Sequence, residues 1–434
     1  MYTLILIIQH FANFLSFITK LITRKKRKQS QALLIQTIET NQTLQIDKLL
    51  GKGAYGSVYK LKNYNSLVAK KFVNYKEFQH ELDALKRVGY HSNIITPLMA
   101  CVTNSDGSNN VCNDNFIIVP LCDFTLFTFI KKSNLHFDSN YLIKDLIVYQ
   151  IFDAVSHIHS KHLIHADIKP ENIMLTSLSV GSPNHLLTLI DFGFCHINKS
   201  EFRKDTRLIS SDTYRAPELY FRMAKIYDNK IDSWSVGIVL LSMFCGFLQF
   251  TQPYCFNNVL PSRTFHKSLV WNQLCGHKCG CGNDEDMLTL FDTIVPKSSN
   301  EKYAAINFYH ICKLVGKKSI DSLLNKIKYE EDDDDIIDTN KLIFPKGDDY
   351  TENGVLQSVL DKSTMNVYCK ALITSLLQVD PCKRLSIRDA FNYHPYFKEL
   401  KFNKKKNINK IYEYKRDNED LCLKETIQLR RDLL

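Results

Sequence analysis

The feature that most constrains this chain is the order of three short motifs in its central part. The first, His-Ala-Asp-Ile-Lys-Pro-Glu-Asn, brings a carboxylate (Asp167), an ammonium group (Lys169) and an amide (Asn172) into one loop. Asp-Phe-Gly at 191–193 follows an apolar run that predicts a strand, and Ala-Pro-Glu at 216–218 comes third. These groups supply a proton acceptor, a cation for a phosphate and oxygen ligands that suit Mg²⁺. The order therefore predicts a site for phosphate chemistry.

A glycine-rich segment precedes these motifs, in a strand-turn-strand context. Glycines let backbone N–H groups approach a triphosphate that a Cβ atom would push away. A dinucleotide-binding fingerprint is excluded, because it needs a helix after the glycines, whereas a second strand is predicted here. The residues predicted to cover the phosphates are Gly51, Lys52, Gly53, Ala54, Tyr55, Gly56, Ser57 and Val58.

The next predicted strand carries a candidate phosphate-binding lysine. In its Val-Ala-Lys-Lys run, Lys71 lies two residues after Ala69, the spacing typical of a strand lysine that neutralises α- and β-phosphates. This interpretation places Ala69 and Lys71 at the cofactor. A carboxylate must hold the lysine, and the helix predicted over Tyr75–Val88 offers Glu77 and Glu81 one turn apart. We choose Glu81, with Glu77 as the alternative.

Together, these motifs resemble those of the eukaryotic protein kinase superfamily, over about residues 44–397 apart from a long insertion. The resemblance implies an α+β, bilobal fold, with a small β-rich N-lobe at 44–123 and a larger, mainly helical C-lobe at 124–398. It also implies protein substrates, and ATP with Mg²⁺ between the lobes. The implied site roles are those of catalytic base for Asp167, γ-phosphate cation for Lys169, metal ligands for Asn172 and Asp191, and an ion pair for Lys71 and Glu81.

The loop that contains Lys169 resembles that of serine/threonine kinases, because tyrosine kinases lack a lysine at this position. The segments around Ser211, Ile231 and Arg384 look most like those of cyclin-dependent and related kinases. The resemblance also implies three structural contacts, namely Ser211 with Asp167 and Lys169, Asp232 with the catalytic loop, and Arg384 with Glu218. We therefore expect transfer to Ser and Thr hydroxyls.

Two positions depart from the family pattern. Pro120, in the run expected beside adenine, stands where cellular members usually have an acidic residue, and in this it resembles kinases of large DNA viruses. Ala166 stands where most members have an arginine that gathers a phosphorylated activation-loop residue. Phosphorylation of Thr206, Ser210 or Thr213 would lack that cationic partner, so we expect activity independent of it.

Two other functions compete with this interpretation. A pseudokinase scaffold would be favoured by a missing catalytic residue, but Lys71, Asp167, Asn172 and Asp191 are all present. A small-molecule phosphotransferase shares the loop chemistry but would not need the Ala-Pro-Glu motif of a protein-substrate platform. A protein kinase is therefore the preferred interpretation.

The composition is that of an ordinary globular chain. Its 434 residues are 44% hydrophobic, which excludes disorder over most of the length, and a formal net charge of +10 does not by itself indicate nucleic acid. Thirteen cysteines, an odd number scattered among apolar runs, indicate free thiols in a reducing compartment. Metal-like spacing occurs at Cys275, His277, Cys279 and Cys281. This segment either binds zinc or is a reduced, exposed loop. We prefer the loop, because all four candidate ligands fall within one short segment.

Residues 1–43 form an apolar and basic N-terminal segment. Polar side chains recur at helical spacing in its apolar part, and five basic residues follow at 24–28. Three interpretations stay open: membrane contact through residues 1–28 with the basic flank on the cytosolic side, a helix packed on the domain, and a nuclear-import patch. A basic tail is assigned to 399–434 and an insertion to about 247–360, and the enzyme is expected to be intracellular.

Overall fold

The computed structural model describes residues 37–40, 44–53, 56–103, 114–133, 141–177, 185–197, 210–220, 228–245, 311–312, 314–330 and 353–403. The predicted zinc segment and the apolar N-terminal segment lie outside these residues, and both stay predictions. None of the helices within these ranges is long and apolar enough to cross a membrane.

The small lobe contains a six-stranded sheet. Its strands are β1 Thr37–Thr40, β2 Ile46–Lys52, β3 Gly56–Leu61, β4 Leu67–Phe72, β5 Met99–Thr103 and β6 Asp114–Pro120. They are arranged in the order β1-β5-β6-β4-β3-β2. The three antiparallel strands predicted around the glycine-rich turn are confirmed as β2, β3 and β4. β1 pairs in parallel with β5, so the sheet starts before the predicted boundary at residue 44 and covers an otherwise open edge.

Helix α1, Tyr75–Val88, confirms the predicted bounds of that helix. Asn74 caps its N-terminus, since the side chain accepts a hydrogen bond from the backbone N–H of Glu77 at 2.9 Å. Gly89, with φ of 72°, ends the helix in a conformation that favours glycine. The apolar side of α1 packs into the core through Phe78 and Leu82. This packing fixes the position of Glu81 on the adjoining helix surface.

The C-lobe is mainly helical, as predicted. Its described helices are α2 Leu126–Ser133, α3 Tyr141–Ser160, α4 Pro217–Tyr220, α5 Lys230–Cys245, α6 Lys317–Glu330, α7 Leu356–Lys362, α8 Val367–Leu376, α9 Ile387–Tyr393 and α10 Pro395–Asn403. Short strands β7 Phe124–Thr125, β9 Ile173–Ser177 and β10 His185–Leu189 form one small sheet. Strands β8 Leu163–Ile164 and β11 His196–Ile197 form another. The loops between these strands carry the polar motifs.

Helix α5 runs through the centre of the C-lobe. Every residue from Ile231 to Cys245 is buried, and α3, α8 and α9 all contact this helix. A helix that is apolar on all sides is stable only in such an interior position. The first turn of α5 carries the buried Asp232, so this central helix can support the catalytic loop.

The predicted insertion at about 247–360 is not wholly separate from this core. Ile311, Leu314 and Ile320 are fully buried, and Leu360 of α7 belongs to the same apolar cluster. The end of the tract is therefore part of the C-lobe. Residues 246–310 of the tract lie outside the described residues, so the insertion itself stays a prediction.

Candidate active site

A cleft of about 1250 Å³ lies between the small-lobe sheet and the loops of the C-lobe. The turn between β2 and β3 contributes to one side, Met174 and Ile190 to the other, and the chain at Pro120 and Cys122 closes the back. The predicted site residues that line it are Gly51, Lys52, Gly53, Gly56, Val58, Glu81, Asp167, Lys169, Asn172 and Asp191. Ala54 and Tyr55 lie outside the described residues.

The lysine of the cleft is Lys70, and the prediction of Lys71 is wrong. Lys70 Nζ lies 2.8 and 2.6 Å from the two carboxylate oxygens of Glu81 and 3.0 Å from Asp191 Oδ1. Lys71 Nζ instead lies 5.8 Å from the centre of the Phe116 ring. The choice of Glu81 as the carboxylate that holds the cleft lysine is confirmed.

Alternation of side chains along the strands explains the error. Val68 and Lys70 line the cleft, whereas Ala69 is fully buried in a separate apolar cluster on the opposite face of the sheet. Val68 therefore takes the place predicted for Ala69. Ser57 pairs with Lys71 across β3 and β4, so its side chain shares that opposite face and does not line the cleft as predicted.

Lys70 and Asp191 each stabilise the charged form of the other. Burial acts to lower the pKa of Lys70, but the carboxylates of Glu81 and Asp191 raise it above its ordinary value. Burial acts to raise the pKa of Asp191, yet Lys70 holds it below its ordinary value. Lys70 and Asp191 are therefore charged at neutral pH, as phosphate and metal binding require.

The glycine-rich turn needs glycine at one position for a steric reason. A Cβ atom on Gly56 would collide with the backbone carbonyl oxygen of Lys71 on the neighbouring strand. The turn itself is closed by a hydrogen bond from the N–H of Gly53 to the carbonyl of Gly56 at 2.8 Å. The turn thus stays close to β4 and leaves the cleft below it open.

Asp167 is the most fully bonded group of the site. Its Oδ1 accepts hydrogen bonds from the backbone N–H of Ser211 at 3.0 Å and from Ser211 Oγ at 2.8 Å. Its Oδ2 accepts from Lys169 Nζ and from Asn172 Nδ2, both at 2.8 Å. Lys169 Nζ also lies 2.7 Å from Ser211 Oγ, so the predicted contact of Ser211 with both residues is confirmed. These bonds fix the orientation of the carboxylate.

Asp232 holds the loop that precedes Asp167. Its two carboxylate oxygens accept hydrogen bonds from the backbone N–H groups of His165 and Ala166, each at 2.9 Å, and His159 Nε2 lies 2.9 Å away. Burial acts to raise the pKa of Asp232, but the hydrogen bond with His159 holds it below its ordinary value. Ala166 has φ of 63°, a strained value for a residue with a side chain. The charged Asp232 therefore stabilises this strained loop, and its predicted bracing role is confirmed.

The Asp191 segment lies against the catalytic loop. The backbone N–H of Ile190 donates to the carbonyl of Asn172 at 2.9 Å. The His165 ring packs edge-on against Phe192, with ring centres 4.8 Å apart. These contacts bring the carboxylate of Asp191 to the same end of the cleft as the side chain of Asn172.

The donors at this end of the cleft suit a magnesium ion. Asn172 uses its Nδ2 to bond Asp167, which leaves Oδ1 without a hydrogen bond to any described residue. Asp191 accepts from Lys70 through Oδ1 and has a second carboxylate oxygen. Mg²⁺ prefers one or two protein oxygens together with substrate phosphates and water. The predicted pair of metal ligands therefore fits this ion.

The third motif has a structural contact of its own. Arg384 donates to Glu218 through Nη1 at 2.6 Å and through Nη2 at 2.8 Å, and both side chains are buried. This confirms the predicted pair.

Ser210, which precedes this motif in the chain, has φ of 68°, and its carbonyl accepts a hydrogen bond from Arg215 Nη2 at 2.9 Å. Of the candidate phosphorylation sites, Ser210 is buried, Thr213 lines the cleft and Thr206 lies outside the described residues.

The fold and this site are those of a protein kinase domain. The sequence profile of the protein kinase domain matches residues 44–397, and the chain belongs to that family. This confirms the resemblance and the α+β, bilobal fold that it implies.

Three relatives illustrate the family. The chain is 36% identical over 205 residues to a probable serine/threonine-protein kinase of Dictyostelium discoideum (glkA). This match covers 46% of the chain and 40% of that protein. It is 33% identical over 208 residues to cyclin-dependent kinase-like 1 of Caenorhabditis elegans, with coverages of 45% and 53%. It is 32% identical over 227 residues to mitogen-activated protein kinase 15 of Xenopus laevis, with coverages of 48% and 35%. The chain thus spans about a third to a half of the length of these relatives.

Proposed function

We propose that the chain transfers the γ-phosphate of ATP to Ser and Thr hydroxyls of protein substrates. The observation that carries the proposal is the Asp167 network, in which a carboxylate, an ammonium group and a hydroxyl are joined by bonds of 2.7 to 3.0 Å beside the Lys70–Glu81 pair. The relatives named as serine/threonine kinases support the substrate class.

The residues of the site have different roles in the proposed transfer. Asp167 orients the substrate hydroxyl and accepts its proton, because its carboxylate is fixed in direction by Ser211 and Asn172. Lys169 lies where it can neutralise the phosphate in transit, and Lys70 fixes the nucleotide phosphates. Asn172 and Asp191 would hold Mg²⁺, which supplies charge neutralisation between the phosphates when bound.

The test is phosphate transfer from labelled ATP to a degenerate Ser/Thr peptide library. Asp167→Asn should reduce transfer at least a hundredfold, because the amide cannot accept the proton, while the affinity for Mg·ATP changes little. Undiminished transfer by highly purified Asp167→Asn protein would contradict the assignment. A wild-type protein that binds Mg·ATP without any transfer would instead indicate the scaffold function.

Two further proposals concern a membrane and a regulatory partner. Membrane contact through residues 1–28 is supported by the basic run at 24–28, which an anionic leaflet attracts by roughly 1 kcal/mol per residue. A regulatory partner is supported by the relatives named as cyclin-dependent kinase-like. Flotation of the full chain against a chain starting at Gln31 tests the first proposal, and equal recovery in the soluble fraction would contradict it.

A further inference from the structure

Two histidines meet where α1 joins the C-lobe. The rings of His91, in the segment after α1, and His157, on α3, have centres 4.7 Å apart and planes inclined by 32°. His157 Nε2 lies 2.9 Å from the carbonyl oxygen of Val88, the last residue of α1. His91 Nε2 lies 3.5 Å from Asp153 Oδ2 on α3. We call His91, His157 and Asp153 the histidine junction.

The junction is built around an unprotonated nitrogen. His91 Nδ1 accepts a hydrogen bond from the backbone N–H of Asn93 at 3.1 Å, so a proton on that nitrogen would break the bond. Asn93 in turn donates through Nδ2 to Gln150 Oε1 at 2.7 Å and to the carbonyl of Leu187 at 2.9 Å. Neutral His91 therefore supports the residue that ties this segment to the C-lobe.

Charged and titratable side chains face His157 from two parts of the chain. His91 faces it from the segment after α1, and Asp153 and Lys161 face it from α3 and the residues that follow. Burial lowers the pKa of His157, although the Val88 carbonyl and Asp153 act in the opposite direction. If both rings were protonated, two positive charges would lie about one ring separation apart and repel each other.

We propose that the histidine junction is a pH-sensitive clamp that loosens when both rings are protonated, because a proton on His91 Nδ1 removes the hydrogen bond from Asn93 and the two charged rings repel each other. The bond from His157 Nε2 to the Val88 carbonyl nevertheless persists. Helix α1 carries Glu81 and ends at Val88, so loosening disturbs the Lys70–Glu81 pair in the cleft. The stability that His157 contributes is present above its unfolded pKa and is lost as the pH falls through the lower folded value. The effect on nucleotide binding rests on the proposed function, whereas the effect on stability does not.

The test compares the full chain with a double variant, His91→Asn with His157→Gln. An asparagine side chain can accept the N–H two residues on, and a glutamine amide can donate to the Val88 carbonyl, so both neutral-state bonds have a replacement that does not titrate. The matched control is His162→Asn, which removes an exposed imidazole at a position with φ of 57° that asparagine tolerates.

The thermal unfolding midpoint and the dissociation constant for Mg·ATP are measured at pH 7.5 and 5.5. On acidification we expect the wild type and the control to lose about threefold to tenfold more affinity than the double variant, and to show a larger fall in midpoint. Parallel losses in all three proteins would overturn the clamp. If the double variant is unfolded at pH 7.5, His91→Asn alone is compared in the same way. If no protein binds Mg·ATP, the proposed function fails while the midpoints still decide the clamp.

Discussion

Two ion clusters of this protein kinase domain have similar contact distances but different surroundings. The shortest bonds are 2.6 Å both in the cleft cluster, Lys70 with Glu81 and Asp191, and in the buried pair, Arg384 with Glu218. The side chains of Lys70 and Asp191 are 18% and 31% exposed, whereas those of Arg384 and Glu218 are 0% and 1% exposed.

The difference shows which cluster can respond to a ligand. Arg384 also donates to the carbonyls of Gln378, Val379 and Lys230, so its guanidinium is bonded on all sides. The cleft cluster keeps solvent access and a carboxylate oxygen for a cation. Contact distance alone therefore does not distinguish these two ion clusters, whereas the exposure of the side chains and the number of hydrogen bonds to the cation do.

The largest effect is expected from Glu218→Gln. The change leaves the guanidinium of Arg384 buried without its counter-charge, which costs about 3 to 5 kcal/mol of unfolding free energy. Urea unfolding measures the loss, and phosphate transfer per folded molecule should change little. A loss below about 1 kcal/mol would show that the pair is not structural.

The matched change in the cleft, Glu81→Gln, should have the opposite profile. Phosphate transfer should fall on the order of a hundredfold, because Lys70 loses the carboxylate that orients it toward the phosphates. The unfolding free energy should change less than in Glu218→Gln, since Lys70 keeps Asp191 as a second counter-charge and its side chain is partly exposed. Equal losses of stability in the two variants, measured in the same urea series, would remove the distinction between the clusters.

The smallest effect is expected from phosphorylation of the activation loop, because Ala166 stands where most family members have an arginine. Ala166 offers no cation to a phosphorylated activation-loop residue, so phosphatase treatment should change the rate of peptide phosphorylation less than about twofold. Mass spectrometry confirms removal of the phosphate. A large loss that rephosphorylation restores would reveal another cation in that role.

The sequence allowed the catalytic loop to be predicted in detail because its chemistry is local. Asp167, Lys169 and Asn172 lie in one short segment, and their spacing leaves little freedom for their relative positions. The choice between Lys70 and Lys71 depends instead on which face of β4 meets the cleft, a property of the folded sheet. Counting two residues from Ala69 assumed that Ala69 faces the nucleotide, whereas its burial in the second apolar cluster puts it on the other face.

Other features depend on long-range packing and had no clear local signal. Strand β1 joins the edge of β5 although its sequence, Thr-Ile-Glu-Thr, is short and lies far from its partner in the chain. The buried residues near Ile311 belong to the core although they lie within the segment predicted to be an insertion. A pattern search that tested apolar spacing from 311 to 323 would have detected the second feature.

The most direct test of the account is a comparison of Lys70→Ala with Lys71→Ala. The two changes remove the same charge from adjacent positions on opposite faces of β4, so they serve as controls for each other. Phosphate transfer and the dissociation constant for Mg·ATP are measured on folded protein of both variants. The account predicts a loss of transfer of about a hundredfold or more for Lys70→Ala and a change below about threefold for Lys71→Ala. The reverse order, or equal losses, would contradict the assignment of Lys70 to the cleft.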